Sequence, residues 1–145
     1  MGRILMKTKL GVAIAAGAIA ATQSGAQGEL FRALPHDMRD LGELRWQYRP
    51  VLLFAPSSDD PTYMRQMALF DAARAALAER DIVVLSDTEP KAASYLRQGF
   101  QPGGFRLVLV GKDGGVKLEQ TEVLPPDALF AVIDRMPMRQ REMTD

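Results

Sequence analysis

Residues 49–80 read RPVLLFAPSSDDPTYMRQMALFDAARAALAER: an apolar run, a proline-bounded turn and an amphipathic segment. Residues 50–55 carry no charge, the pattern of a strand buried on both faces of a helix-covered sheet. Pro50 is tolerable at the entrance because a first strand residue can forgo a ladder donor, and Pro56 ends the run. Asp60 followed by Pro61 is a strong helix start, an N-cap acid and then proline at the first helical position. Tyr63, Met67, Phe70, Ala73 and Leu77 recur at steps of three and four, so one helical face is apolar as far as Arg80 and Asp81. Residues 82–85, Ile-Val-Val-Leu, form a second short apolar run, mostly β-branched. A strand, a helix and a strand at this spacing dictate parallel pairing and a right-handed crossover.

The rest of the chain extends that unit. Residues 27–40 read as an extended lead-in with one helical turn around residues 37–41, and residues 44–49 alternate like a half-buried strand or its approach. Residues 90–97 predict a short helix stopped by Gly99. Residues 105–110 are a third strand. Asp113-Gly114 marks a hairpin, after which residues 116–120 alternate cleanly as an antiparallel edge strand. Pro125-Pro126-Asp127 opens a last helix with Leu129, Phe130, Val132 and Ile133 on its face. Pro137 interrupts that helix and leaves residues 136–145 as a basic, methionine-bearing tail. The order β-α-β-(α)-β-β-α is an α/β, thioredoxin-like layout over residues 41–145. It predicts a three-layer fold with a central mixed sheet of about four strands and flanking helices.

The N-terminus bears on the compartment. Arg3, Lys7 and Lys9 precede an uncharged apolar run at residues 10–21, and Ser24-Gly25-Ala26 offers small residues where a signal peptidase reads them. This is the tripartite layout of a cleavable secretory signal over residues 1–26, and a run of about 12 residues is too short to span a bilayer. The expected location is periplasmic or secreted, with no membrane span after removal of the leader. Removal would leave 15 basic against 18 acidic side chains, a mildly acidic domain with nothing that points to nucleic acid. The chain has no cysteine, which excludes disulfides, thiol catalysis and thiolate metal sites.

Three stretches carry a family resemblance. The tail from Ile133 to Met143 contains an MPMRxxEM signature. Leu53-Phe54-Ala55-Pro56 with Asp60-Pro61 and Gln66 makes a second block, and Val110-Gly111-Lys112-Asp113-Gly114-Gly115 a third. Together they resemble the exported bacterial family called P-DUDES, a domain of unknown function similar to domains of animal extracellular-matrix proteins of the sushi-repeat and equarin type. The resemblance covers residues 41–143 and implies a thioredoxin- or peroxiredoxin-like fold and export, but no activity. Against redox thioredoxins, the CxxC would fall on Asp59-Asp60-Pro61-Thr62, with Asp59 and Thr62 in place of the sulfurs. The cis-proline before their third strand would fall near Arg106. Thiol oxidoreductase and peroxidase chemistry is therefore excluded.

The candidate contact surface is the turn Ser57, Ser58, Asp59, Asp60 and Thr62. Asp59 and Asp60 could form a metal or acid/base pair, but an N-cap with a solvated dipole partner is the favoured reading. A nucleophilic Ser57 or Ser58 needs a base, and the only histidine, His36, lies about 20 residues upstream with no third partner. Met136, Met138 and Met143, with His36 and Met38, could make a soft Cu(I) site, and packing against the sheet is the competing reading. Arg139 and Arg141 could grip an anionic partner or pair with Asp134 and Glu142. No cofactor is implied. The expectation is a non-redox binding or interaction module of the periplasm with an unknown protein partner. The alternative is a metal- or small-ligand-handling protein; an unrecognised enzyme has only the turn geometry behind it.

Overall fold

The computed structural model describes residues 29–144, so the expected leader lies outside the described residues. Five strands form one sheet: β1 (Phe31–Ala33), β2 (Arg49–Phe54), β3 (Ile82–Asp87), β4 (Arg106–Val110) and β5 (Val116–Gln120). Their spatial order is β1-β3-β2-β4-β5. β1, β3 and β2 are parallel, β4 pairs antiparallel with β2, and β5 pairs antiparallel with β4. The helices are α1 (Pro61–Asp71), α2 (Arg74–Glu79), α3 (Tyr95–Phe100), α4 (Pro126–Asp134) and α5 (Pro137–Thr144).

β2 is central and buried along its whole length, as its unbroken apolar run dictates. Its side chains alternate between two cores. Val51 and Leu53 meet Phe70, Leu77, Leu129 and Ile133 from α1, α2 and α4, whereas Leu52 and Phe54 meet Leu34, Leu96 and Phe100 on the other face. Helices therefore cover both faces, giving three layers. Tyr63, Met67, Phe70, Ala73 and Leu77 all join the first core, and complete burial of Phe70 or Leu77 contributes about 1.5–3 kcal/mol each. The buried Gln66 ties α1 to the loop before α4: its Nε2 donates to the Leu124 carbonyl at 2.9 Å and its Oε1 accepts from the Leu124 N–H at 2.7 Å.

Several boundaries differ from the sequence reading. The lead-in contributes a fifth strand, three residues long, paired with β3 from Phe31 opposite Val84 to Ala33 opposite Ser86. Residues 44–48 are not a strand: a 3-10 turn at Gly42–Leu44 leads to Trp46, whose φ of 69° turns the chain into β2. A bulky residue seldom takes this left-handed conformation. Here the Trp46 N–H donates to the Lys112 carbonyl at 2.7 Å. The long helix breaks at residues 72–73 into α1 and α2. Gly99 lies inside α3, which instead ends where Gln101 takes φ 51°. Pro137 starts a new helix rather than leaving a loose tail, as suits a residue whose missing N–H costs nothing at a helix entrance. Among the described residues no helix is long and apolar enough to cross a membrane.

Candidate functional site

The two sets of candidate residues lie at opposite ends of β2, about 17 Å apart for a strand of this length. At its C-terminal end, β2 runs through Ala55 into the turn. The Ser57 hydroxyl donates to Asp59 Oδ1 at 2.6 Å, and the Asp60 N–H donates to the Ser57 carbonyl at 3.3 Å. Asp60 Oδ2 accepts the Tyr63 N–H at 3.0 Å, the N-cap that its place before Pro61 requires. The neighbouring carboxylates thus turn to different partners. Ser58 and Asp59 are exposed; Ser57, Asp60 and Thr62 are half-buried. His36 lies 3.3 Å from Glu89 Oε1, not in line with a serine nucleophile whose hydroxyl is already given to Asp59.

Beneath the turn is a buried polar network that sequence reasoning missed. Asp87, at the end of β3, accepts the Ser94 hydroxyl at 2.6 Å, the Glu89 N–H at 3.0 Å and Arg97 Nε at 3.2 Å. Arg97 Nη2 also donates to the carbonyls of Asp87 and Ala55, each at 2.9 Å. Burial alone would raise the Asp87 carboxyl. The bonds from Ser94, Arg97 and the Glu89 amide outweigh burial and hold it below the usual range. The chain entering the turn is therefore pinned at the Ala55 carbonyl by a guanidinium that Asp87 fixes. The legible signal was an acid closing an apolar strand, with Ser94 three residues before Arg97 as a helix cap.

At the other end, α5 folds the tail back onto the entrance of β2. Arg49 is fully buried; its Nη1 and Nη2 fork onto Glu142 at 3.2 and 3.1 Å, and Nη1 reaches the Arg80 carbonyl at 2.9 Å. Lys112 bridges Asp81 and Glu142, each at 2.8 Å. Burial would raise Glu142, but Lys112 and Arg49 outweigh it and lower its carboxyl; burial would lower Lys112, but Asp81 and Glu142 raise it. Arg139 is 4% exposed, with Nη2 on Glu79 at 2.8 Å and Nε on Asp134 at 3.2 Å. Asp134 also takes Arg80 in two bonds of 3.0 Å, and this pairing with Arg80, joined by Arg139, lowers its carboxyl.

Of the two readings of Arg139, the structure shows the pairing with Asp134 rather than a free surface contact, and corrects its exposure: it is a buried tie between α5, α4 and α2. Arg141 remains exposed. Met136 packs on the first core, Met138 is half-buried, and Met143 is half exposed on α5. Among the described residues no group of three or more His, Cys, Asp or Glu is placed to hold a metal ion. One feature of this end stands apart. Arg49 Nε is the single buried side-chain nitrogen or oxygen without a hydrogen bond among the described residues, a deficit that typically costs about 1–3 kcal/mol.

A β1-β3-β2-β4-β5 sheet covered on both faces, with its helix-capping turn beyond β2, defines a thioredoxin-like domain, here without thiols. The fold is similar to that of reduced desulfothioredoxin from Desulfovibrio vulgaris Hildenborough, with a TM-score of 0.53 at 15% identity over 73% of this chain and 97% of that one. Residues 40–142 match the family described as Domain of unknown function (DUF4174), and the chain belongs to that family.

Proposed function

We propose that the protein is a non-redox binding module that presents the turn at residues 57–62 to a protein partner in the periplasm. The observation that carries this reading is the support beneath the turn. Arg97 holds the Ala55 carbonyl, and Asp60 caps α1, so Ser58 and Asp59 are displayed on backbone that is already ordered. A surface ordered in advance loses less entropy on association. The tail residue Arg141 is a second exposed contact. The resemblance to the P-DUDES family and the leader-like residues 1–26 support export.

A photo-crosslinking residue at Ser58, compared with one at Thr121, tests the reading in the exporting host. A discrete adduct from position 58, weakened by Asp59→Ala and absent from position 121, is the expected result. No adduct from 58, or the same adduct from both positions, would overturn it. N-terminal sequencing of the exported protein should begin at Gln27; an uncleaved chain retained in the cytoplasm would remove the periplasmic part of the proposal. Metal handling at Asp59 and Asp60, or at Met136, Met138 and Met143, is the competing reading. One equivalent of bound metal in protein purified without an affinity tag would replace the binding module with it.

A further inference from the structure

A cleft of about 200 Å³ opens between the β4–β5 hairpin and the junction of α4 with α5, and its lining includes Arg49, Lys112, Lys117, Met136, Pro137 and Met138. Two kinds of surface meet there. The methionines and the proline make an apolar wall, and thioethers adapt well to flat or irregular apolar groups. The opposing side is rich in donors that the fold does not use up. Arg49 lies beneath it, its Nη atoms spent on Glu142 and the Arg80 carbonyl and its Nε closed off from solvent. The Lys112 ammonium has three donors and places two, on Asp81 and Glu142. Lys117 places one, on Asp113 at 3.0 Å. The lining holds three cations and one acid, Asp113; Glu142 and Asp81, outside the lining, pair with Arg49 and Lys112. The stem of Lys117 lies so close over Gly111 that a Cβ there would come within 2.5 Å of Lys117 Cε, so the glycine lets the lysine lie against the hairpin turn.

We propose that this cleft binds a small monocarboxylate with an apolar body, the carboxylate received by Lys112 and Lys117 and the body laid against Met136, Pro137 and Met138. A carboxylate supplies an acceptor for the protons that Lys112 and Lys117 leave unplaced. The volume matches one ring with a short acidic arm, since a cavity of roughly 150 Å³ accommodates benzene. The site is at the far end of β2 from the turn and stands independently of it.

Phenylacetate and its uncharged analogue 2-phenylethanol, titrated into the isotope-labelled protein and followed by amide chemical shifts, test the proposal. Saturable shifts at Gly111, Lys112, Lys117, Met136 and Met138 are expected for phenylacetate, with a Kd of about 1 mM or below. The alcohol should bind about tenfold more weakly, the effect of losing a charged hydrogen bond. Lys117→Gln removes only an exposed pair from the fold, and should weaken the acid several-fold while leaving the alcohol unchanged. Met138→Trp, which fills the apolar wall, should abolish both. Lys112→Gln should reduce the preference for the acid, and the other two variants decide the matter if it does not fold. No saturable shifts at these residues, equal affinity for acid and alcohol, or unchanged binding in both Lys117→Gln and Met138→Trp would overturn the proposal.

Discussion

At the C-terminal end of β2 and β3 the buried Asp87 is compensated by Ser94 and Arg97, seven and ten positions away in the chain. At the N-terminal end the buried Arg49 depends on Glu142, 93 positions away. The first network is local, and through Arg97 it fixes the Ala55 carbonyl beneath the turn. The second gathers α2, α4, α5 and the hairpin, and it leaves donors over. A closed network makes a rigid base for display; an open one beside an apolar wall makes a place for a ligand. The proposed partner-facing turn thus lies at one end and the proposed carboxylate cleft at the other.

The largest expected effect is at the local network. Asp87→Ala strands Arg97 and Ser94 in the interior and should lower unfolding free energy by about 3–5 kcal/mol, measured by urea denaturation. Amide exchange should then accelerate more at residues 55–62 than at residues 111–115; uniform acceleration would break the distinction between the two ends. Glu142→Ala should cost less, about 2–3 kcal/mol, because Glu142 is partly exposed and Arg49 keeps the Arg80 carbonyl. Pairing Arg49→Met with Glu142→Leu should recover much of that loss, since an apolar pair needs no compensation.

The ends should also differ in their response to pH. Asp87, Asp134 and Glu142 all lie below their ordinary values, so the stability they contribute is complete above the unfolded carboxylate range. It is lost as pH falls through their lowered folded values. Lys112 lies above its ordinary 10.5, so its contribution is complete below that value and is lost as pH rises through the folded one. Urea midpoints against pH should therefore show an acid limb from both ends and an alkaline limb from the Arg49 end alone. Lys112→Gln should flatten the alkaline limb, and Asp87→Asn should leave it unchanged. The smallest effects belong to the turn: about 1 kcal/mol for Asp60→Ala through the lost cap, and within about 0.5 kcal/mol for Asp59→Ala.

What was legible in the sequence follows from the reach of each interaction. The β2 run, the Asp60-Pro61 cap and the Asp113-Gly114 hairpin are decided by neighbours within a few residues, and all three stand as read. β1 was missed because three residues carry no period, and its pairing partner is 53 positions away, Phe31 opposite Val84. α5 was missed because a proline ends one helix and starts another equally well. Asp87 and Arg97 were readable in principle from the cap at Ser94. The role of Arg49 was not: a cation at a strand entrance does not disclose a carboxylate 93 residues later, and a separation of 60 hid the burial of Arg139 against Glu79.

The reach of Arg49 has a consequence in time. A ribosome adding about 5–20 residues per second needs roughly 5–20 s to go from Arg49 to Glu142. During that interval the central strand exists with a guanidinium whose counterion has not been made, and tight closure around it is opposed. Only the arrival of the last helix removes the obstacle. A nascent chain held open in this way remains threadable, which is the state that passage through an export channel under the proposed leader requires.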